Sequence, residues 1–388
     1  MPIKNRLAEM HGEITKWRRH LHAHPELGFD VHNTAKFVVD RLKEFGITDI
    51  TEGIGRTGVV AVIEGRSDTA GRVLGLRADM DALPIHEATD LDYASTVPGK
   101  MHACGHDGHT AILLGAAQYL AETRNFDGKV VLIFQPAEEG EGGGREMVAD
   151  GLMDHWNIQE VYGLHNEPGR PTGSFSIRPG PLLAAADMFT IDITGQGGHA
   201  AAPHQAIDPN VAAAHVLLGL QSIVSRTVDP LQSAVVSVCA VHSDVDTHNV
   251  IPHVTRMTGT VRALDEEVRA AVEARVTQVA EATAIAQGCV ATVNYERGYP
   301  PTVNTDQHTG YAIDAAKAVS ADVVENCAPI MAAEDFSYML NERPGAYIML
   351  GNGEGQMVHH PEYQFDDEAI PAGASWFAEV VERRMPVA

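Results

Sequence analysis

Four short apolar runs, "GVVAVIEG", "RVLGLRAD", "KVVLIFQP" and "EVYGLHN", recur through the first half of the chain. Runs of this length, rich in Val, Ile and Leu, read as strands buried within a sheet. Helix-like patterns separate them, near residues 4–22, at about 33–45 before Gly46, and in "HTAILLGAAQYLAET". Strands alternating with helices leave few architectures open. The pattern predicts an α/β domain with a largely parallel sheet covered by helices.

From about Asp187 to Arg297 the rhythm changes. "DMFTIDITG", "SAVVSVCAV", "VTRMTGTVRA" and "CVATVNYER" read as strands. "DPNVAAAHVLLGLQSIVSR" reads as a helix with Asp208 as N-cap and Pro209 at its first position, its apolar face formed by Ala212, Val216, Leu220 and Ile223. Asp265 opens a second helix, "DEEVRAAVEARVTQVAEATA". The order is β-α-β-β-α-β, an α+β, ferredoxin-like pattern. Helix–strand alternation resumes after "GYPPTVN". The expected organisation is therefore a discontinuous α/β domain, 1–184 and 298–388, with an inserted domain at 185–297.

A chain of 388 residues is long enough for two domains. Its formal charge of −24 argues against nucleic acid or an anionic membrane as partner, since both demand a basic surface. The N-terminus lacks the apolar core of a signal peptide, and even "NVAAAHVLLGLQSIV" is interrupted by His215, Gly219 and Gln221. Four scattered cysteines, Cys104, Cys239, Cys289 and Cys327, do not make a disulfide framework. A cytoplasmic, reduced protein is expected, with Cys104 available as a thiolate.

"HACGHDGHT", residues 102–110, concentrates three histidines, a cysteine and an aspartate. A metal site fits that composition, and it needs ligands from elsewhere in the chain. They stand at strand ends: Asp79 and Asp81 after "RVLGLRA", Glu138 and Glu139 after "KVVLIFQPA", His165 closing "EVYGLH". The carboxyl edge of an open α/β sheet is where active sites form. Each cluster alone has a bland reading as turn or solvated loop. Together with "MVHHPEY" they point to a metal centre.

In order along nearly the whole chain, "HLHAHPELGF", "LRADMDALP", "MHACGHDGHT", "FQPAEEG", "GLHNEP", "GQGGHAAAPH", "HNVIP", "MAAEDFS" and "HHPEYQFDD" resemble the metal-dependent N-acyl-amino-acid amidohydrolases. That family includes hippurate hydrolases, bacterial aminoacylases and plant auxin-conjugate hydrolases, within a wider group of dinuclear metallopeptidases. The resemblance implies that the inserted domain serves as lid or dimerisation domain, in a homodimer or higher homo-oligomer. It implies two divalent ions per subunit, manganese or zinc, with cobalt or nickel also admissible.

Carried over residue by residue, the implied ligands are Cys104, His106, Glu139, His165 and His359, with His360 as the alternative to the last. Cys104 would bridge the ions, since Arg77-Ala78-Asp79 stands where the wider group has a ligand histidine in His-x-Asp. Glu138 matches the general base, strand alternation turning it away from Glu139. Asp79 is expected to orient a ligand. Asp107 and His109 are read either as such partners or as helix-start residues, and His102 as structural. The glycines of "GQGGHAAAPH" lack the lysine and Ser/Thr of a phosphate loop. By resemblance His199 there stabilises the developing oxyanion, and Asn249 contacts substrate. The expected reaction is hydrolysis of N-acyl-L-amino acids, N-acetyl or N-benzoyl. A metal-dependent dipeptidase and a non-catalytic metal-binding relative are the alternatives, and Glu138 beside a ligand glutamate favours an enzyme. A serine hydrolase is disfavoured, because no Gly-x-Ser-x-Gly elbow occurs.

Overall fold

A computed structural model describes residues 3–387 and divides them into two compact units. The first comprises the described residues of 3–182, 303–328 and 335–387. Its sheet runs Ile50–Ile54, Gly58–Glu64, Lys129–Gln135, Val73–Asp79, Glu160–Glu167, Gly345–Gly351, Phe175–Ser176, Val323–Val324. The four central strands, Lys129–Gln135 to Gly345–Gly351, are mutually parallel. Gly58–Glu64 is antiparallel to both its neighbours, and Phe175–Ser176 is antiparallel to Gly345–Gly351. Strand direction is invisible in an apolar run, so the sequence pattern does not reveal these antiparallel edges.

Leu74, Leu76, Leu132, Ile133, Leu164 and Ile348 lie fully buried in the central strands. Each such side chain contributes about 1.5–3 kcal/mol through the area it removes from water. Helices Asn5–Ala23, His106–Thr123 and Ile370–Arg384 pack against one another over the sheet. The first buries Leu7, Met10, Ile14, Trp17 and Leu21, a stripe at helical spacing. The helix His32–Glu44 owes its start to Glu26 of "HPELGF". That carboxylate accepts from the amides of Asn33 (3.2 Å) and Thr34 (2.8 Å), two donors a helix start leaves unpaired. Because the central strands are parallel, Asp79, Gln135 and His165 emerge at one edge of the sheet.

The second unit comprises 183–302 together with 329–334. Its antiparallel sheet runs Ala234–Ser243, Val254–Ala263, Ala185–Thr194, Val290–Arg297. Helices Pro209–Arg226 and Glu266–Ala286 enclose a core of Phe189, Ile191, Ile193, Val216, Leu220, Val272 and Val276. Asp208 accepts from the Asn210 amide, and Asp265 from the amides of Glu267 and Val268. Asp187, fully buried, accepts from the Arg269 guanidinium, the Tyr295 hydroxyl and the Gly298 amide. The segment Pro329–Glu334 joins this unit through a Leu183–Ile330 bridge and an Ala184 amide bond to the Ala332 carbonyl. Among the described residues no helix is long and apolar enough to cross a membrane.

Candidate metal centre

Gly105 and Gly108 explain why two glycines interrupt the ligand-rich segment. Gly105 has φ +90°, and a Cβ there would stand 2.4 Å from Asn166 Oδ1 and 2.7 Å from the Tyr363 hydroxyl. A Cβ on Gly108 would meet the Phe365 ring at 2.3 Å. The sharp turn at Gly105 starts the helix at His106, so His106, Asp107 and His109 occupy its first turn rather than a loop. At i, i+3 spacing the His106 and His109 rings are neighbours, with centroids 5.5 Å apart.

Two of the three expected ligand histidines of this unit have one ring nitrogen fixed. His106 donates Nδ1–H to the Asp81 carbonyl at 2.9 Å, and His165 donates Nδ1–H to the Asn166 carbonyl at 2.7 Å. Both therefore turn Nε2 toward the site, the nitrogen a metal would take. The backbone amide of His359 donates to the Ala103 carbonyl at 2.7 Å, tying the C-terminal loop beside Cys104. His359 has φ +69°, a strained conformation for a residue with a Cβ. The neighbouring His360 instead accepts from the Glu362 amide within its own turn.

Two sets of donors result. The ligand atoms of Cys104, His106 and His165 lie within 4.8 Å of one another, and so do those of Cys104, Glu139 and His359. Cys104 belongs to both. His106 Nε2 and Glu139 Oε1 are buried without a hydrogen-bond partner. Glu139 Oε1 lies 3.3 Å from His359 Nε2 without hydrogen-bond geometry, as two ligands facing a common point would.

The electrostatics are those of a pocket short of positive charge. Burial pushes the Cys104 thiol up. His359 is raised to about 10 by the Cys104 thiol and the Glu139 carboxylate beside its ring. Burial opposes charging of His106, yet Asp79 and Cys104 hold it well above the ordinary histidine range. His165 is pushed down to about 3 by burial and by His109 beside it, so it stays neutral. Thiolate, imidazole and carboxylate donors around unpartnered atoms fit divalent cations such as zinc or manganese.

Glu138 and Glu139 do not separate by strand alternation. The strand ends at Gln135, Ala137 turns the chain at φ +54°, and the pair lies in a turn. Asp81 fixes that turn, its carboxylate accepting from the amides of Glu138 (2.9 Å) and Glu139 (3.0 Å). A carboxylate oxygen of each glutamate comes within 4.8 Å of the other and of a ring nitrogen of His106. Asp81 thus serves the site twice, by carbonyl and by carboxylate. Its only sequence signal was a second aspartate two residues beyond a strand end.

Asp79 makes its hydrogen bonds to Arg77 and to His109 Nδ1, both at 2.7 Å, rather than to an expected ligand. His106 Nε2 lies 3.8 Å from it. Asp107 is a buried partner of His22 Nδ1 (2.9 Å) and Arg18 (3.4 Å). His102 is buried with neither ring nitrogen partnered, and burial pushes it down to about 4.

The second unit brings His199 and Asn249 together. Strand Gly198–His199 pairs with Val250–Ile251, His199 opposite Val250, and the Ala200 amide donates to the Asn249 carbonyl. Glycines permit the approach, since a Cβ on Gly197 would stand 2.9 Å from the Ile251 carbonyl oxygen. Both side chains are exposed. His199 Nδ1 accepts from the Ala201 amide, which leaves Nε2 as the protonated, outward nitrogen.

Comparison with known proteins extends this picture. The family model for peptidase family M20/M25/M40 matches residues 75–383. The hippurate hydrolase of Campylobacter jejuni is 41% identical over 379 residues, 96% of this chain and 97% of its own. The N-acetyl-L-cysteine deacetylase of Bacillus subtilis is 42% identical, over 97% of this chain and 89% of its own. Among solved structures, the YXEP protein of Bacillus subtilis, described as a dinuclear metal binding peptidase, superposes with a TM-score of 0.85. It is 35% identical, over 97% of this chain and 99% of its own.

Proposed function

This chain belongs to peptidase family M20/M25/M40, and from that premise we propose that it is a metal-dependent amidohydrolase of N-acyl amino acids, N-acetyl or N-benzoyl. The observation that carries the reading is the pair of donor sets sharing Cys104, with Glu138 beside them and outside both. In this reading Cys104, His106, Glu139, His165 and His359 hold two divalent ions, manganese or zinc, with cobalt or nickel as substitutes. A bound pair supplies Lewis acidity, making water nucleophilic at neutral pH and polarising the amide carbonyl.

The chain supplies the rest. Glu138, held by its amide to Asp81, takes a proton from the attacking water and returns it to the leaving nitrogen. The amine departs neutral, which amide cleavage requires. His199 donates Nε2–H to the oxygen as negative charge develops there, and Asn249 contacts the substrate. The second unit acts as a ferredoxin-like lid and dimerisation domain, a reading supported by its strand order and by Ala234–Ser243, which ends that unit's four-stranded sheet. The enzyme works as a homodimer in the cytoplasm, where Cys104 stays reduced.

The test is metal-free protein reconstituted with Mn²⁺, Zn²⁺, Co²⁺ or Ni²⁺ and assayed on N-acetyl- and N-benzoyl-amino acids beside dipeptides. Metal-dependent release of free amino acid from the acyl substrates is expected. Preference for dipeptides would replace the substrate class, and absence of turnover with any metal would remove the enzyme.

A further inference from the structure

Another set of donors lies within the first unit. Ligand atoms of Asp79, His106 and His109 come within 4.8 Å of one another, and all three residues are buried. By composition this is also a metal site. Its geometry closes it.

Arg77 is the reason. At i, i+2 on strand Val73–Asp79, Arg77 and Asp79 project from the same face. The guanidinium is 1% exposed and donates to Asp79 Oδ2 (2.7 Å), Gln135 Oε1 (2.9 Å) and Asp335 Oδ1 (3.0 Å). Asp335 is held in turn by Gln135 Nε2 and the Gly144 amide, each at 2.7 Å. A guanidinium keeps its charge at every working pH. Asp79 already faces a permanent cation, in a region with no solvent to screen a second one.

His109 is closed by the same arrangement. With Asp79 Oδ2 on the guanidinium, Oδ1 accepts from His109 Nδ1, which must carry its proton. His109 Nε2 is engaged by Asn166, 2.7 Å from Oδ1 and 3.1 Å from the backbone amide. Asn166 is fixed by the Tyr363 hydroxyl at 2.7 Å. His109 thus has no free lone pair, whereas His106 Nε2 has no partner. One helical turn separates a histidine with both ring nitrogens engaged from one whose Nε2 is unpartnered.

We propose that Arg77 is the resident cation of this corner and decides where metal binds. It keeps Asp79 and His109 out of coordination and confines the ions to the donors around Cys104. The inference rests on the reading of Cys104, His106, Glu139, His165 and His359 as ligands of two ions.

The experiment is metal analysis of reconstituted full-length protein after dialysis. Arg77→Gln is combined with Asp335→Asn, so that the second buried carboxylate is not left unpaired. Bound zinc should rise above the wild-type count, with Asp79 and His109 as the new donors because His106 Nε2 already serves the Cys104 set, and adding His109→Ala should return it to the wild-type count. Arg77→Lys, which retains a cation, should leave the count unchanged. A folded double variant with the wild-type count overturns the proposal. Should that variant aggregate, the wild-type protein decides. In ¹⁵N-histidine spectra of the zinc-loaded enzyme the His109 Nδ1 proton should persist as a slowly exchanging, hydrogen-bonded signal. Its loss on loading would place metal on His109 and overturn the proposal. A wild-type count below two, with the added ion still seen in the double variant, counts against the two-ion reading and leaves the role of Arg77 standing.

Discussion

The two groups of residues assigned to catalysis are held in opposite ways. Around the metal loop His106, His109, Asp79 and Asp81 are at most 1% exposed, and each side chain is fixed by a hydrogen-bond partner. On the second unit His199 and Asn249 stand exposed at a two-residue ladder, and their side chains hydrogen-bond to residues two positions away in sequence. The difference follows from what each group does. A metal centre needs several donors converging on one point before any ion arrives, so their orientation must be built into the fold. A donor to a transient oxyanion needs one nitrogen free to meet a substrate.

The largest effect expected lies on the buried side. Glu138→Gln should keep its metal and lose about 10²–10⁴-fold in turnover, the range for a lost general base. Metal analysis beside kcat checks it, and near-wild-type turnover in metal-replete protein would remove Glu138 from the role. On the exposed side His199→Ala should leave metal content unchanged and lower kcat by about 10²–10³-fold, the scale of one oxyanion donor. Mixing these two variants sharpens the contrast. Partial recovery of activity after subunit exchange would show His199 acting across a dimer, and proven exchange without recovery would confine it to its own chain.

How much of this was legible in sequence depended on the range of the interaction involved. The central strands were readable because Val, Ile and Leu runs mark buried sheet, and their ends pointed to Asp79, Glu138, Glu139 and His165. The caps Asp208 and Asp265 were readable because they act on their own helices. Partners far apart in sequence were not. His22 meets Asp107 across 85 residues and Glu87 across 65, and no periodicity records either contact. The turn at Ala137 was also hidden, since alanine carries no mark of a positive φ. Nor did sequence distinguish the aspartate that orients His106 and the glutamate pair from an ordinary turn residue.

Asp81 gives the next test. Asp81→Asn retains the carbonyl that orients His106 but replaces one acceptor of the Glu138–Glu139 turn by an amide donor. Loss of such an orienting partner typically costs about 10–100-fold in metal affinity or activity. Competition with a chelator measures the affinity. An unchanged constant together with unchanged kcat would show that the turn is held by Ala137 and its neighbours alone.

The smallest effect comes from the charge network behind the metal loop. His22, 1% exposed, lies between Asp107 Oδ2 at 2.9 Å and Glu87 Oε1 at 3.1 Å, with Arg18 also on Asp107. Burial opposes its charging, but the two carboxylates raise it to about 9. The folded chain therefore holds a proton that the unfolded chain, at an ordinary histidine value near 6.5, releases earlier. The resulting stability is fully present below about pH 6.5 and is lost as pH rises through 9. The slope is at most about 1.4 kcal/mol per pH unit, tenfold in the local opening constant. Glu87 also accepts from the Ser95 amide, so the segment around residues 87–95 should loosen first. Hydrogen exchange between pH 7 and 9, corrected for intrinsic chemistry, should show extra opening there and at 102–110, but none in strand Ala185–Thr194. His22→Gln should remove the pH dependence at residues 87–95 while lowering protection there at pH 7. Equal pH dependence in both units, or a His22→Gln profile matching wild type, would mean that this imidazolium does not anchor the metal loop.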